Sequence, residues 1–100
     1  MTMRYTAEEF SKHLDDTFTI QHDGRTVELL LAEVKLGRST PEAEQFSLFF
    51  QGPLTPQLQQ RMYFMTNERT GALDLFIVPV TQNEKGIVYE VVFNQMRQHG

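Results

Sequence analysis

Two histidines and three aspartates within residues 13–23 form the densest group of metal-ligating side chains in the sequence. They are His13, Asp15, Asp16, His22 and Asp23. A catalytic zinc ion needs about three protein ligands that converge on one point, commonly histidines with a carboxylate. The two histidines fall at opposite ends of a predicted strand, about 20 Å apart along extended chain. We therefore interpret the group as a solvated helix end and a solvated hairpin tip, and we expect no metal ion.

Side chains that carry out nucleophilic or acid–base catalysis lack the spacing that such chemistry needs. The chain has no cysteine and no Gly-x-Ser-x-Gly sequence, and a nucleophile requires a neighbouring base that activates it. Hydrolysis by paired carboxylates requires two acids that face each other. Glu28, Asp74 and Glu90 instead alternate with apolar residues, which indicates that they point outward from strands. The glycines fit turns rather than a phosphate-binding loop. The sequence predicts no enzyme activity and no cofactor.

The composition fits one globular domain that spans residues 1–100, since 40% of the residues are hydrophobic and 22% are charged. A formal net charge of -4 argues against non-specific binding to nucleic acid or to an anionic membrane. No apolar run is long enough for a transmembrane helix, and Glu8 and Glu9 lie where a signal peptide would be apolar. We expect a cytoplasmic protein with no nucleic-acid or membrane partner.

A short helix is predicted over residues 6–14. Thr6 has the side chain of an N-cap, and Glu9 follows three residues later as in a capping box. Ala7, Phe10 and Leu14 have the spacing of one helical face. The helix would present this apolar face to the rest of the domain.

Beyond residue 16 the pattern changes to the two-residue period of strands. A strand at 17–21, the turn Asp23-Gly24 and a return strand at 25–36 predict a hairpin with a type I′ turn. Further strands are predicted at 44–51, 61–66, 72–80 and 87–94, and residues 95–100 are expected to fray. The predicted fold class is α+β and β-dominated: a short N-terminal helix followed by a six-stranded antiparallel meander, curled into a small barrel or a two-layer sheet.

Alternation along the strands predicts one apolar face as the core. Its members are Phe46, Leu48, Phe50, Met62, Phe64, Leu73, Leu75, Ile77, Ile87, Tyr89, Val91 and Phe93. The opposite face should be polar if it is solvated, yet it also carries Phe49, Tyr63, Met65, Phe76, Val78 and Val92. We interpret Phe49, Tyr63, Met65, Phe76 and Val78 as a partner interface. The alternative is that the helix and loops of the chain cover them.

Three motifs in the second half resemble those of a known family. They are Phe46-Ser47-Leu48-Phe49-Phe50 with Gly52-Pro53, then Leu75-Phe76-x-Val78-Pro79, then Tyr89-Glu90-Val91-Val92-Phe93-Asn94. The chain is similar over residues 46–94 to a family of small bacterial proteins named domain of unknown function 6916. The resemblance implies no enzyme activity, no cofactor and no ligand. It also implies genes near phage-tail proteins, and hence an accessory role in assembly.

Two function classes follow from these observations. The first is a non-catalytic interaction or assembly accessory protein, whose exposed apolar sheet face binds a protein partner or a second copy, as a homodimer through sheet faces or edges. The second is a small-molecule-binding β-barrel or minor enzyme with an aromatic-lined pocket. A flat apolar patch would favour the first class, and a closed concavity with convergent polar groups the second.

Overall fold

Six antiparallel strands and one short helix make up the computed structural model, which describes residues 4–96. In chain order the elements are α1 (Ala7–Ser11), β1 (Thr17–His22), β2 (Arg25–Ser39), β3 (Ala43–Gly52), β4 (Arg61–Asn67), β5 (Gly71–Asn83) and β6 (Gly86–Met96). The strands close into a barrel in the order β1-β2-β3-β6-β5-β4. The predicted β-dominated class with a short N-terminal helix is confirmed.

The barrel consists of two three-stranded meanders, β1–β2–β3 and β4–β5–β6, rather than one continuous meander. The two are joined by ten residue pairs between β3 and β6 and by two pairs between β1 and β4. Residues 53–60 carry the chain from the end of β3 to the start of β4. Within this connection Leu58 is fully buried, and its N–H donates to the Tyr89 hydroxyl at 2.8 Å. The connection is therefore fastened to β6.

The turn between β1 and β2 has the conformation that its sequence predicts. His22 pairs with Arg25, so Asp23 and Gly24 form a two-residue loop. Their φ angles are 50° and 77°, and a type I′ turn requires positive φ at both positions. The predicted hairpin is confirmed.

The helix is shorter than predicted. Thr6 caps it, since its Oγ1 accepts from the Glu9 N–H at 3.1 Å. The helix ends at Ser11, and the chain then turns toward β2, where the Asp15 N–H donates to the Leu31 carbonyl. Asp15 has a φ of 69°, which a continuing helix does not allow. Leu14 is consequently 42% exposed instead of lying on the buried helical face.

The helix packs its apolar side into one end of the barrel. Phe10 is fully buried and its ring lies against those of Tyr5, Phe46 and Phe93. Phe93, which alternation places in the core, is half-buried and stacks on Phe46, with ring centroids 4.6 Å apart. Burial of Tyr89 is confirmed.

The N-terminal segment bridges two strands where they separate. β5 and β6 pair from Val78 and Glu90 toward their shared turn. Beyond that point the Tyr5 hydroxyl accepts from the Asp74 N–H, and the Tyr5 carbonyl accepts from the Gln95 side chain. This segment therefore holds β5 and β6 together at the end that the helix fills.

β6 continues to Met96, so residues 95 and 96 are strand rather than frayed tail. The prediction for residues 97–100 lies outside the described residues. Within residues 4–96, no helix has the length and apolarity that crossing a membrane requires.

Candidate interaction surface

β4 turns a different set of side chains inward from the set that alternation suggested. Tyr63 and Met65 are 5% and 0% exposed, whereas Met62 and Phe64 are 54% and 61% exposed. The prediction that Met62 and Phe64 belong to the core is wrong. So is the placement of Tyr63 and Met65 on an outer surface, because both lie inside the barrel.

The loop between β4 and β5 sets this orientation. Asn67 pairs with Gly71, which places Met65 opposite Leu73 and Tyr63 opposite Leu75. Directly paired residues on antiparallel strands share a face, and the two leucines of β5 point inward. Both parities of β4 are apolar, so alternation within this strand carries no information. The sequence signal for the inward face of β4 was the number of residues that separate Tyr63 and Met65, across the loop, from the inward-facing leucines of β5.

An apolar strip runs over the outer wall of the barrel. We define the outer apolar face as Phe49, Met62, Phe64, Phe76, Val78 and Val92. Met62 lies directly opposite Phe76 on the neighbouring strand. Glu90 on β6 pairs with Val78 of β5 on one side and with Phe49 of β3 on the other. Phe76 is 45% exposed and Val92 57%, while Phe49 and Val78 are half-buried. Of the residues predicted at an interface, Phe49, Phe76 and Val78 lie on this face.

Charged groups lie at the edge of the outer apolar face and within it. Asp74 is exposed and pairs with Phe64, and the half-buried Glu90 lies between Val78 and Phe49. The outer apolar face is therefore interrupted by the Glu90 carboxylate on β6. The outward positions predicted for Asp74 and Glu28 are confirmed.

A second polar cluster links the segment after the helix to the β4–β5 loop. The His13 Nδ1 lies 3.0 Å from the Asp16 Oδ2, and the Arg69 guanidinium donates to both Asp16 oxygens at 3.2 and 3.3 Å. The same guanidinium donates to the Lys12 carbonyl at 3.3 Å. His13 is buried, so the expectation of a solvated helix end is wrong at this residue. The polar groups of this cluster are paired with one another, and their contacts hold residues 12–16 against the β4–β5 loop.

His22 lies apart from that cluster, with its Nε2 3.5 Å from Asp23 and its ring beside that of Tyr63. Within residues 4–96, no group of three or more His, Asp or Glu side chains is arranged to hold a metal ion.

Two grooves that described residues form lie on the outside of the barrel. One of about 490 Å³ runs along the β1–β4 contact and is lined by Asp16, Thr17, Thr19, Thr66, Asn67, Glu68 and Arg69. The other, of about 510 Å³, lies beside residues 53–56, with Thr26, Glu28 and Lys85 on its walls. The barrel interior is filled by large side chains, among them Phe18, Phe50, Leu29, Leu48 and Tyr89. The walls of both grooves are lined mainly by polar residues and by residues of the 53–56 segment.

The fold therefore defines a small closed antiparallel barrel, with a helix packed into one end and an apolar strip on its outer wall. The sequence matches the family described as Domain of unknown function (DUF6916) over residues 5–93. The chain belongs to this family, as its strand motifs predicted. No curated protein and no solved structure is significantly similar to it.

Proposed function

We propose that this protein is a non-catalytic interaction or assembly protein, and that its outer apolar face binds a second copy of the chain. The observation that supports the proposal is the exposure of Met62, Phe64, Phe76 and Val92 on the outer wall of the barrel. Large apolar side chains gathered on one surface favour association, because a solvated sheet face is ordinarily polar.

The size of the face suits a dimer of weak affinity. The four side chains are already about half-buried, so covering the rest of them contributes on the order of 3–6 kcal/mol before the entropic costs of association are subtracted. A homodimer needs a surface that complements itself, and apolar side chains meet this condition without a matching charge pattern.

The alternative of a ligand-binding barrel or minor enzyme receives less support. A small-molecule site is usually a concavity with a few convergent polar groups. Here the interior is occupied by side chains of the core, and the charged cluster at Asp16 is paired with His13 and Arg69. The proposal therefore assigns no catalytic residue.

A bacterial setting, an accessory role in phage-tail assembly and a cytoplasmic location belong to the same proposal. They rest on the motif resemblance and on the sequence composition. Fractionation of the producing cells, followed by detection of the protein in each fraction, tests the location.

Replacing Phe76 with aspartate tests the face. Because Phe76 is 45% exposed and lies at the centre of the strip, Phe76→Asp should weaken self-association by at least about tenfold while the fold persists. Sedimentation equilibrium over a range of protein concentrations measures the dissociation constant, and thermal melting followed by circular dichroism reports the fold.

Leu54→Asp is the matched control, because Leu54 is 53% exposed on the 53–60 connection, outside the face. It should leave the dissociation constant unchanged. Equal effects of the two substitutions, or a native protein that is monomeric throughout, would contradict the proposal.

A further inference from the structure

One edge of β2 has no strand beside it. β1 pairs with β2 at Arg25 to Leu30, and the Leu31 N–H and carbonyl bond to residues 15 and 16. From residue 32 to residue 38, β3 lies on one side of β2. In the described part of the chain, no strand pairs with the other side. These residues are exposed, apart from the half-buried Val34.

The bare edge contains a short regular run. Pairing with β3 is irregular at Ala32 and again between Leu36 and Ser39, and it is continuous from Glu33 to Leu36. Unpaired N–H and carbonyl groups along such a run are a template for another strand. The charged residues of this run determine which strand it can accept.

We propose that this edge pairs antiparallel with β2 of a second copy, about a two-fold axis at Val34. Such an axis is perpendicular to the sheet, so residues that lie opposite each other have the same parity. Lys35 then lies opposite Glu33 of the second copy, and Glu33 opposite the second Lys35. Opposite charges in directly opposed positions stabilise antiparallel pairs.

The neighbouring symmetric register lacks this match. With the axis at Lys35, the two lysines would face each other, and like charges in opposed positions are destabilising. A lysine on a sheet edge ordinarily prevents strand addition. The register through Val34 removes that obstacle, because each lysine meets a carboxylate.

The same register covers an exposed apolar side chain. Leu36 is 68% exposed, and in this pairing it lies at the end of the regular run, beside the irregular position Ala32 of the second copy. Covering part of Leu36 adds apolar contact to the backbone hydrogen bonds.

The inferred contact goes beyond the proposed function, since it uses β2 and leaves Phe76 free. We therefore test it in protein that carries Phe76→Asp, in which the outer apolar face is disrupted. Sedimentation equilibrium should still detect a dimer. Adding Lys35→Glu should raise its dissociation constant by at least about tenfold, because two attractive pairs become repulsive. Adding Glu33→Lys as well should restore the original constant.

Lys85→Glu in the same protein is the control, because it makes the same charge change at an exposed turn. It should have no effect. Among the amides at 33–35, those that point to the bare edge rather than to β3 should exchange more slowly as the concentration of the Phe76→Asp protein increases. A monomeric Phe76→Asp protein, or a dimer that Lys35→Glu leaves intact, would overturn the edge contact and leave the outer-face proposal standing.

Discussion

At the residue scale, Tyr89 connects the last strand to the crossing between the two meanders. Its ring is fully buried, and its hydroxyl accepts from the Leu58 N–H at 2.8 Å. Removing the hydroxyl leaves that buried N–H without a partner. Tyr89→Phe should therefore lower the free energy of unfolding by about 1–3 kcal/mol.

Urea denaturation measures this loss, and Tyr63→Phe is the comparison. The Tyr63 hydroxyl donates to the carbonyl of Gln59, an exposed residue, which water can satisfy instead. The Tyr63 variant should lose less stability than the Tyr89 variant. The reverse order would show that the Leu58 bond does not hold the connection.

Tyr89 also makes stability depend on pH in the alkaline range. Burial raises its pKa above the ordinary value of 10.0. Below pH 10 the phenol is protonated in both states. As the pH rises past 10, the unfolded chain releases the proton first, so folding stability falls until the pH exceeds the pKa of the folded state.

As the pH rises through 10, the melting temperature of the native protein should therefore decline more steeply than that of Tyr89→Phe. The variant removes this tyrosine and keeps the other titrating groups, so the difference between the two curves isolates Tyr89. Parallel curves would contradict a raised pKa.

At the element scale, the β1–β2 turn is where local sequence determines structure most directly. Gly24 has a φ of 77°, which side chains with a branched Cβ avoid. Gly24→Val should lower stability by about 1 kcal/mol or more. Gly24→Asn, which tolerates positive φ, should cost less. Urea denaturation of both variants measures this difference in stability. A valine variant as stable as the native protein would exclude backbone strain at position 24.

The sequence predicts those elements that local signals determine, and it does not predict features that depend on long-range contacts. Turn residues and two-residue alternation locate the hairpin and all six strands, because these signals are local. Alternation fails on β4, where Tyr63 and Met65 are as apolar as Met62 and Phe64. It also does not identify neighbours: the pairing of β3 with β6 depends on long-range contacts such as Phe46 with Phe93.

The candidate surface was predictable to the extent that its strands were. Phe49, Phe76 and Val78 lie on strands whose opposite face is unambiguous, and they lie on the outer wall as expected. Burial of His13 was not predictable, because His13 belongs to a cluster with Asp16 and with Arg69, which is 56 residues away in sequence and reaches Asp16 from the β4–β5 loop. The end of the helix at Ser11 likewise depends on the bond of Asp15 to β2.

At the scale of the whole molecule, the barrel is closed unevenly. Ten pairs join β3 to β6, whereas two join β1 to β4. The second contact is supplemented by the Asn67 side chain, which donates to the Thr17 carbonyl, and by the ion pair of Arg69 with Asp16. The outer apolar face reaches β4, where Phe64 lies two residues before Thr66 of this contact. The weaker of the two contacts that close the barrel is therefore next to one of the proposed association surfaces.

If the outer apolar face binds a second copy, Met62 is covered when two copies associate. Methionine oxidation by dilute peroxide reports this covering, because exposed methionines form the sulfoxide faster than buried ones. Met62 and Met96 are 54% and 74% exposed, and Met65 is fully buried. We expect oxidation of Met62 to slow as the protein concentration rises, with Met96 fast and Met65 slow throughout. Oxidation of Met62 at one rate across all protein concentrations would show that association does not cover the outer apolar face.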